Sequence, residues 1–232
     1  MRVDVAFTPD RAGTASTGIV IDVIRATSTI CQALASGYER VYCAAEVEEA
    51  RALRDLLGAG VLGGERNAVR IPGFDLGNSP REYLDPAGKT LILSTTNGTR
   101  AVVAAAERCE RVLIASMLNL EAVVEAAREH GEDVVVVCAG VQGAMNIDDS
   151  YVAGRIVALL EAKRTDSAEV AARLCTTWSG AEEAFRASKS GRNLLANAPE
   201  LGEDLSFCAR ESVLGVVPRL VGMRDGAAEI TG

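Results

Sequence analysis

Three stretches of this chain set carboxylates, hydroxyls and amides at what read as strand ends. The first is Asp22, closing "GIVID", with Arg25, Thr27, Ser28 and Thr29 directly after it. A carboxylate in that place can ligate Mg²⁺ or attack phosphorus. The guanidinium and hydroxyls suit the charge and oxygens of an anion. Ile24 stands where the D-x-D pattern of aspartyl-phosphate enzymes has its second Asp, which puts metal ligation ahead of a covalent role. An ordinary strand-end Asp that caps a turn is the plain alternative. The second stretch is "LILSTTNGTR", with Ser94, Thr95, Thr96, Asn97, Gly98 and Thr99. Asn-Gly commonly turns a hairpin. The next residues, "RAVVAAAERCE", are instead Ala-rich with helical spacing, so this turn joins a strand to a helix. A helix start exposes unpaired N–H groups that attract anions. The turn is either a phosphate cradle or a loop capped by Thr99, and the two are compatible. No Walker A loop occurs anywhere. The third stretch runs from Cys138, Ala139 and Gly140 to Asp148 and Asp149 at a helix start. Adjacent carboxylates there are dipole partners or Mg²⁺ ligands. One reads as a ligand and the other as a cap, with Asp149 favoured as the ligand. A Cys138 thiolate would lack a histidine partner.

Two loops add candidates. "GFDLGNSP" carries Asp75, Asn78 and Ser79 between glycines, as a substrate-orienting loop or as rigid turn chemistry. "SKSGRN" offers Lys189 and Arg192 to an anion, or is an exposed basic turn.

The elements that must position these residues repeat. Shifted by 72 positions, "GIVIDVIRATSTICQALASGYERVYCAAEVEEA" lies over "TLILSTTNGTRAVVAAAERCERVLIASMLNLEA", with Thr27 on Thr99 and Ala33 on Ala105. Each unit reads strand, polar turn, helix, short strand, helix. A third unit begins at "DVVVVCAG" and continues into "DDSYVAGRIVALLEA" as a helix. Continuous apolar strands alternating with helices predict an α/β fold with a largely parallel or mixed sheet covered on both faces. Ligands in such sheets gather beyond the carboxyl ends of the strands. Three strand-end loops are therefore predicted to converge on one site. Residues 63–89 form a long Gly/Pro/Asn-rich loop of the kind that is often functional. No linker divides the chain, so one domain over 1–232 is expected.

Composition narrows the class. The chain has 232 residues, is 48% hydrophobic with only 4% aromatics, and carries a formal net charge of -8. That balance argues against a nucleic-acid or membrane-surface binder, both of which want a basic face. The N-terminus lacks an apolar stretch of signal-peptide type, and no run approaches the roughly 18 residues of a membrane span. Six cysteines are scattered without C-x-x-C or zinc spacing. The single histidine, His130, sits at a helix end, which removes Ser-His-Asp and Cys-His chemistry. A reduced, cytoplasmic, soluble protein is expected.

Taken together, "VIDVIRATSTI", "GFDLGNSP", "STTNGTRA", "CAG" followed by "DD..VAG", and "SGRNL" resemble the 2-phosphosulfolactate phosphatase family, from about residue 5 to residue 220. The resemblance implies a three-layer α/β/α fold and a Mg²⁺-dependent phosphatase acting on phosphate monoesters of 2-hydroxy acids. Phosphosulfolactate itself belongs to coenzyme M synthesis. The family's usual Glu-Asp pair stands here as Asp148-Asp149. On this reading Asp22 with Asp149 or Asp148 holds the metal. Arg25, Thr27, Asn97 and the hydroxyl-rich turns take phosphoryl oxygens, and Lys189 or Arg192 takes the substrate carboxylate. The nucleophile stays open between an activated water and Asp22. The partner is a small anionic phosphorylated substrate, with no nucleic acid and no membrane; a homodimer stays open. The rival from another class is a non-catalytic sensor of phosphorylated ligands.

Overall fold

The apolar runs "GIVI", "LIL" and "VVVV" are strands buried from both sides. In the computed structural model, which describes residues 1–232, eleven strands form one sheet. They are β1 (Arg2–Ala6), β2 (Ala15–Ile21), β3 (Arg40–Ala44), β4 (Val61–Arg66), β5 (Val69–Arg70), β6 (Thr90–Ser94), β7 (Cys109–Ala115), β8 (Val134–Cys138), β9 (Lys163–Arg164), β10 (Arg219–Arg224) and β11 (Ala227–Thr231). The helices are α1 (Ala26–Ser36), α2 (Val47–Leu57), α3 (Gly98–Ala106), α4 (Leu120–His130), α5 (Ile147–Leu160), α6 (Asp166–Leu174), α7 (Ala181–Ala187), α8 (Lys189–Asn197) and α9 (Glu203–Cys208).

The period of two decides which face each side chain takes. From β2, Ile19 and Ile21 pack toward α4, α5 and α6, whereas Val20 packs toward α1 and α3. From β8, Val134, Val136 and Cys138 go to the first side, and Val135 and Val137 to the second. The β3 strand divides in the same way, with Tyr42 and Ala44 packed against α2. The result is the expected three-layer α/β/α arrangement.

The 72-residue repeat is realised as β2–α1–β3–α2 and β6–α3–β7–α4. The two units interlock: β2 pairs in parallel with β7, and β3 in parallel with β6. On its other side β2 pairs in parallel with β8, so Ile19 lies between Leu113 and Val136.

Between the two halves the C-terminal hairpin β10–β11 is inserted, giving the order β5-β4-β6-β3-β11-β10-β7-β2-β8-β1-β9. It is antiparallel to β3 on one side and to β7 on the other. The sheet is therefore mixed, and strand direction reverses across the hairpin. Sequence reading missed this hairpin, although Asp225-Gly226 marks its turn, with φ of 48° and 84°. The run before it, "RLVGMR", has little alternation to announce a strand.

Despite the reversal, the turn after β6 reaches the end of β2. A Cβ on Gly98 would sit 2.7 Å from that of Ala26 and 3.0 Å from Asp22 Oδ2. Twist of roughly 20–25° per strand step accumulates over the five steps from β2 to β6 and brings their ends toward each other. Only a glycine allows the starts of α1 and α3 to meet this closely.

Candidate active site

The loops after β2, β4, β6 and β8 and one face of α8 enclose a polar cleft. It is lined by Asp22, Arg25, Glu65, Asn67, Asn78, Thr95, Thr96, Asn97, Gln142, Ser190, Asn193 and Asn197, together with Ile24, Ala68, Val141 and Leu194. The predicted convergence thus brings Asp22, Arg25, Asn78, Thr95, Thr96 and Asn97 together. Five asparagines and one glutamine supply neutral donors and acceptors. Arg25 is the lone basic residue of the lining.

Asp22 is 8% exposed at the cleft floor. Burial, then the charges of Asp148 and Glu65, push its pKa up to about 7, while the Ala26 N–H and Arg25 pull it back. The peptide joining Ile24 to Arg25 is cis. The Arg25 guanidinium, 3% exposed, donates from Nη1 to Asp204 Oδ2 at 2.7 Å and from Nη2 to the Ala68 carbonyl at 3.1 Å.

Neither α5 carboxylate is the helix cap that the sequence expectation made one of them. The cap of α5 is Asn146, whose side chain accepts from the Ile147 N–H. Asp149 accepts backbone N–H groups on both oxygens, Oδ1 from Val23 at 2.9 Å and Oδ2 from Gly140 at 3.0 Å. It ties the end of β2 to the end of β8. Burial, with Asp148 and Asp22, raises its pKa well above the carboxylate range. Asp148 is buried with neither oxygen hydrogen-bonded. Burial pushes it up to about 6, and the Ser190 hydroxyl, the Asp149 and Asp148 N–H groups and the Ser188 hydroxyl draw it down. None of these groups closes a hydrogen bond with Asp148; Ser188 donates to the Phe185 carbonyl, and Ser190 accepts from the Asn146 amide. An unpartnered buried carboxylate is costly, and its charge is felt at Asp22. Both Asp148 oxygens are without a hydrogen bond and Asp22 lines the cleft, so this pair can serve a cation, whereas each Asp149 oxygen already accepts one backbone N–H. No three His, Cys, Asp or Glu side chains gather into a group that would hold a metal unaided. Oxygen ligands in small number suit Mg²⁺, which takes one or two carboxylates and fills its shell with water and phosphate oxygens.

The start of α3 is the second anion-facing feature. Its N-cap, Asn97, makes no side-chain cap, and the helix ladder opens with the Ala101 N–H on the Asn97 carbonyl. The N–H groups ahead of Ala101 are available to an anion. Thr99 is the second residue of α3 and not its cap; its hydroxyl donates to the Ala44 carbonyl at 3.3 Å.

Other candidates hold the walls and do not line the cleft. Thr27 accepts from the Asp22 N–H at 3.2 Å, and Thr29 donates to the Asn78 carbonyl at 2.9 Å. Ser94 accepts from Arg66 at 3.0 Å. Asp75 accepts from the Leu62 N–H at 2.8 Å, and Ser79 donates to Asp204 at 2.7 Å. Gly140 takes φ of 63°, and a Cβ there would fall 2.4 Å from the Ala144 carbonyl oxygen. Lys189 stands at the rim, donating to Gln142 at 2.7 Å. Arg192 is exposed and turns away, donating to the Ala187 carbonyl. Cys138 is buried and its thiol is pushed well up by burial and by Asp149 and Asp148, against a thiolate nucleophile. His130 is the exposed last residue of α4.

Sequence reading missed Glu65 and Asp204. Glu65 accepts from the N–H and hydroxyl of Thr96 at 3.2 and 3.0 Å, and from the Ala68 N–H at 2.8 Å. It lies within the long segment 63–89, whose length was its only signal. Asp204 follows Glu203 in the first turn of a short helix, where acidic residues are routine, and so had no local signal.

An α/β sheet whose strand-end loops gather carboxylates, an arginine and an uncapped helix start presents a cleft suited to a small phosphate or carboxylate ligand. The family model for 2-phosphosulpholactate phosphatase matches residues 6–222. A probable 2-phosphosulfolactate phosphatase of Carboxydothermus hydrogenoformans is 38% identical over 227 residues, covering 94% of this chain and 92% of the relative. Proteins of the same name from Thermotoga petrophila and Thermus thermophilus are each 40% identical, over 94% and 91% of this chain and 95% and 90% of their own lengths. The chain belongs to the 2-phosphosulfolactate phosphatase family and is a phosphoric monoester hydrolase. No helix is long and apolar enough to cross a membrane.

Proposed function

We propose that this protein is a Mg²⁺-dependent phosphatase that hydrolyses phosphate monoesters of 2-hydroxy acids, with a 2-phosphosulfolactate-like substrate, to the hydroxy acid and inorganic phosphate. The catalytic unit is the whole chain. The observation that carries the reading is Asp148: a buried carboxylate with two unpartnered oxygens, close enough to raise Asp22 at the floor of an anion-facing cleft.

Charge supports it further. Asp22 and Glu65 line a cleft whose one arginine is already paired to Asp204, and the buried charges of Asp148 and Asp149 act on the same carboxylate cluster. A phosphate ester carrying nearly two negative charges would be repelled there unless a cation is bound. Asp22 and Asp148 would hold Mg²⁺, which when bound offsets that charge and polarises the phosphoryl group. The free N–H groups of Arg25 and of the α3 start hold the remaining phosphoryl oxygens, where charge is carried in the transition state. Water adds to phosphorus, the ester oxygen leaves and takes a proton, and the hydroxy acid is released. Asn78, Asn193, Asn197 and Gln142 face the organic part, with Lys189 at the rim for its second anion.

A panel of esters tests this. 2-Phosphosulfolactate and 2-phospholactate are expected to release phosphate faster than 3-phosphoglycerate or an aryl phosphate. Equal rates on all four, or none on the 2-phosphates, would overturn the substrate class.

A further inference from the structure

Asp204, on α9, is wholly buried and lies 179 residues from Arg25 in the chain. Its Oδ2 accepts from Arg25 Nη1 at 2.7 Å and its Oδ1 from Ser79 Oγ at 2.7 Å. Arg81 Nη1 stands 3.8 Å from the same Oδ1, while its Nη2 bridges Glu203 at 2.6 Å. One carboxylate thus gathers donors from the start of α1 and from the loop after β5.

Stability alone does not explain a charge here, since a buried ion pair gains little over well-packed apolar residues. What the pair does give is orientation. The guanidinium is a rigid planar fork. With Nη1 fixed on Asp204 and Nη2 on the Ala68 carbonyl, its plane and reach into the cleft are set. Ser79, held on the other oxygen, directly follows Asn78. The Asn78 side chain lines the cleft, and its Oδ1 is buried with no partner. The same carboxylate therefore braces the cation facing the phosphoryl position and the segment that carries an unsatisfied amide.

We propose that Asp204 is a positioning residue for Arg25 and for the Asn78 wall of the cleft. The proposal rests on the phosphatase reading of that cleft. It is tested with Asp204→Asn, Arg25→Lys and the double variant. The measurements are steady-state phosphate release at saturating Mg²⁺ and the affinity for inorganic phosphate by calorimetry. Misplacing a binding group by about 1 Å can cost a hundredfold, so kcat/KM of Asp204→Asn is expected to fall by about that factor. KM and the phosphate Kd should both rise, with the Mg²⁺ half-saturation unchanged. In the Arg25→Lys background the same change should cost far less, because the fork it orients is gone.

A folded Asp204→Asn with wild-type KM and phosphate affinity would overturn the proposal, as would full additivity with Arg25→Lys. If Asp204→Asn does not fold, Asp204→Glu keeps the charge and moves it by one methylene. Raised KM there supports positioning, and wild-type KM in the folded variant overturns it. A wild-type protein that hydrolyses no ester, yet loses phosphate affinity on Asp204→Asn, would remove the phosphatase reading while sustaining the positioning role.

Discussion

Asp148→Asn is expected to make the metal-free protein more stable and the enzyme inactive. Asp148 is 1% exposed and neither oxygen has a hydrogen-bond partner. Its pKa stands at about 6 against the ordinary 3.8. A carboxyl whose pKa is raised by folding resists ionising in the native state. Below pH about 4 it is protonated in both states and costs nothing; above pH about 6 it is ionised in both, and the full cost of about 3 kcal/mol is present. Asn has nearly the same shape without the charge. For a chain of this size, ~1 kcal/mol moves Tm by roughly 2–4 °C, so Asp148→Asn should melt about 6–12 °C higher at pH 7.5. The gain should shrink toward pH 4. Because Asp22 and Asp149 press on the same site, the pH course belongs to the cluster. The assay is thermal unfolding after chelation, at several pH values, with and without Mg²⁺. Added Mg²⁺ should raise the Tm of wild type and leave that of Asp148→Asn unmoved. A variant that melts below wild type at pH 7.5 in chelator would refute the reasoning, because Asp148 would then be a bonded structural anion.

Asp149→Ala should lower stability: it strips acceptors from the buried N–H groups of Val23 and Gly140, at about 1–3 kcal/mol each, read by denaturant unfolding. Gly98→Ala should cut kcat/KM at least about tenfold while far-UV circular dichroism keeps its helix content, since the added methyl meets Ala26 Cβ at 2.7 Å and Asp22 Oδ2 at 3.0 Å. Asn78→Ala should leave Tm nearly unchanged, because its Oδ1 has no partner to lose, and raise KM in steady-state assays. An unaltered KM would remove Asn78 from the ligand-facing wall.

The features legible in the sequence are those with local signals. Apolar runs and the 72-residue repeat revealed β2, β3, β6, β7 and β8 and the helices between them, since burial on both faces leaves no other use for "GIVI" or "VVVV". Three strand-end loops meeting at Asp22 came from the same order. Which α5 carboxylate takes the Val23 and Gly140 N–H groups did not, because adjacent aspartates differ there only in helix phase. Thr27, Thr29, Ser94 and Thr99 looked like phosphate ligands, yet their hydroxyls bind backbone groups or Arg66; a hydroxyl in a turn serves either end equally well. Asp204 pairs with Arg25 across most of the chain length, and no spacing rule reaches that far.

The most direct test of the account is phosphate release from 2-phosphosulfolactate by chelator-treated, dialysed protein as Mg²⁺ is returned. Release that is absent without metal, rises saturably with Mg²⁺ in wild type and fails to return in Asp148→Asn is the predicted result. Undiminished release in the metal-free protein, or full Mg²⁺-dependent release by Asp148→Asn, would contradict it.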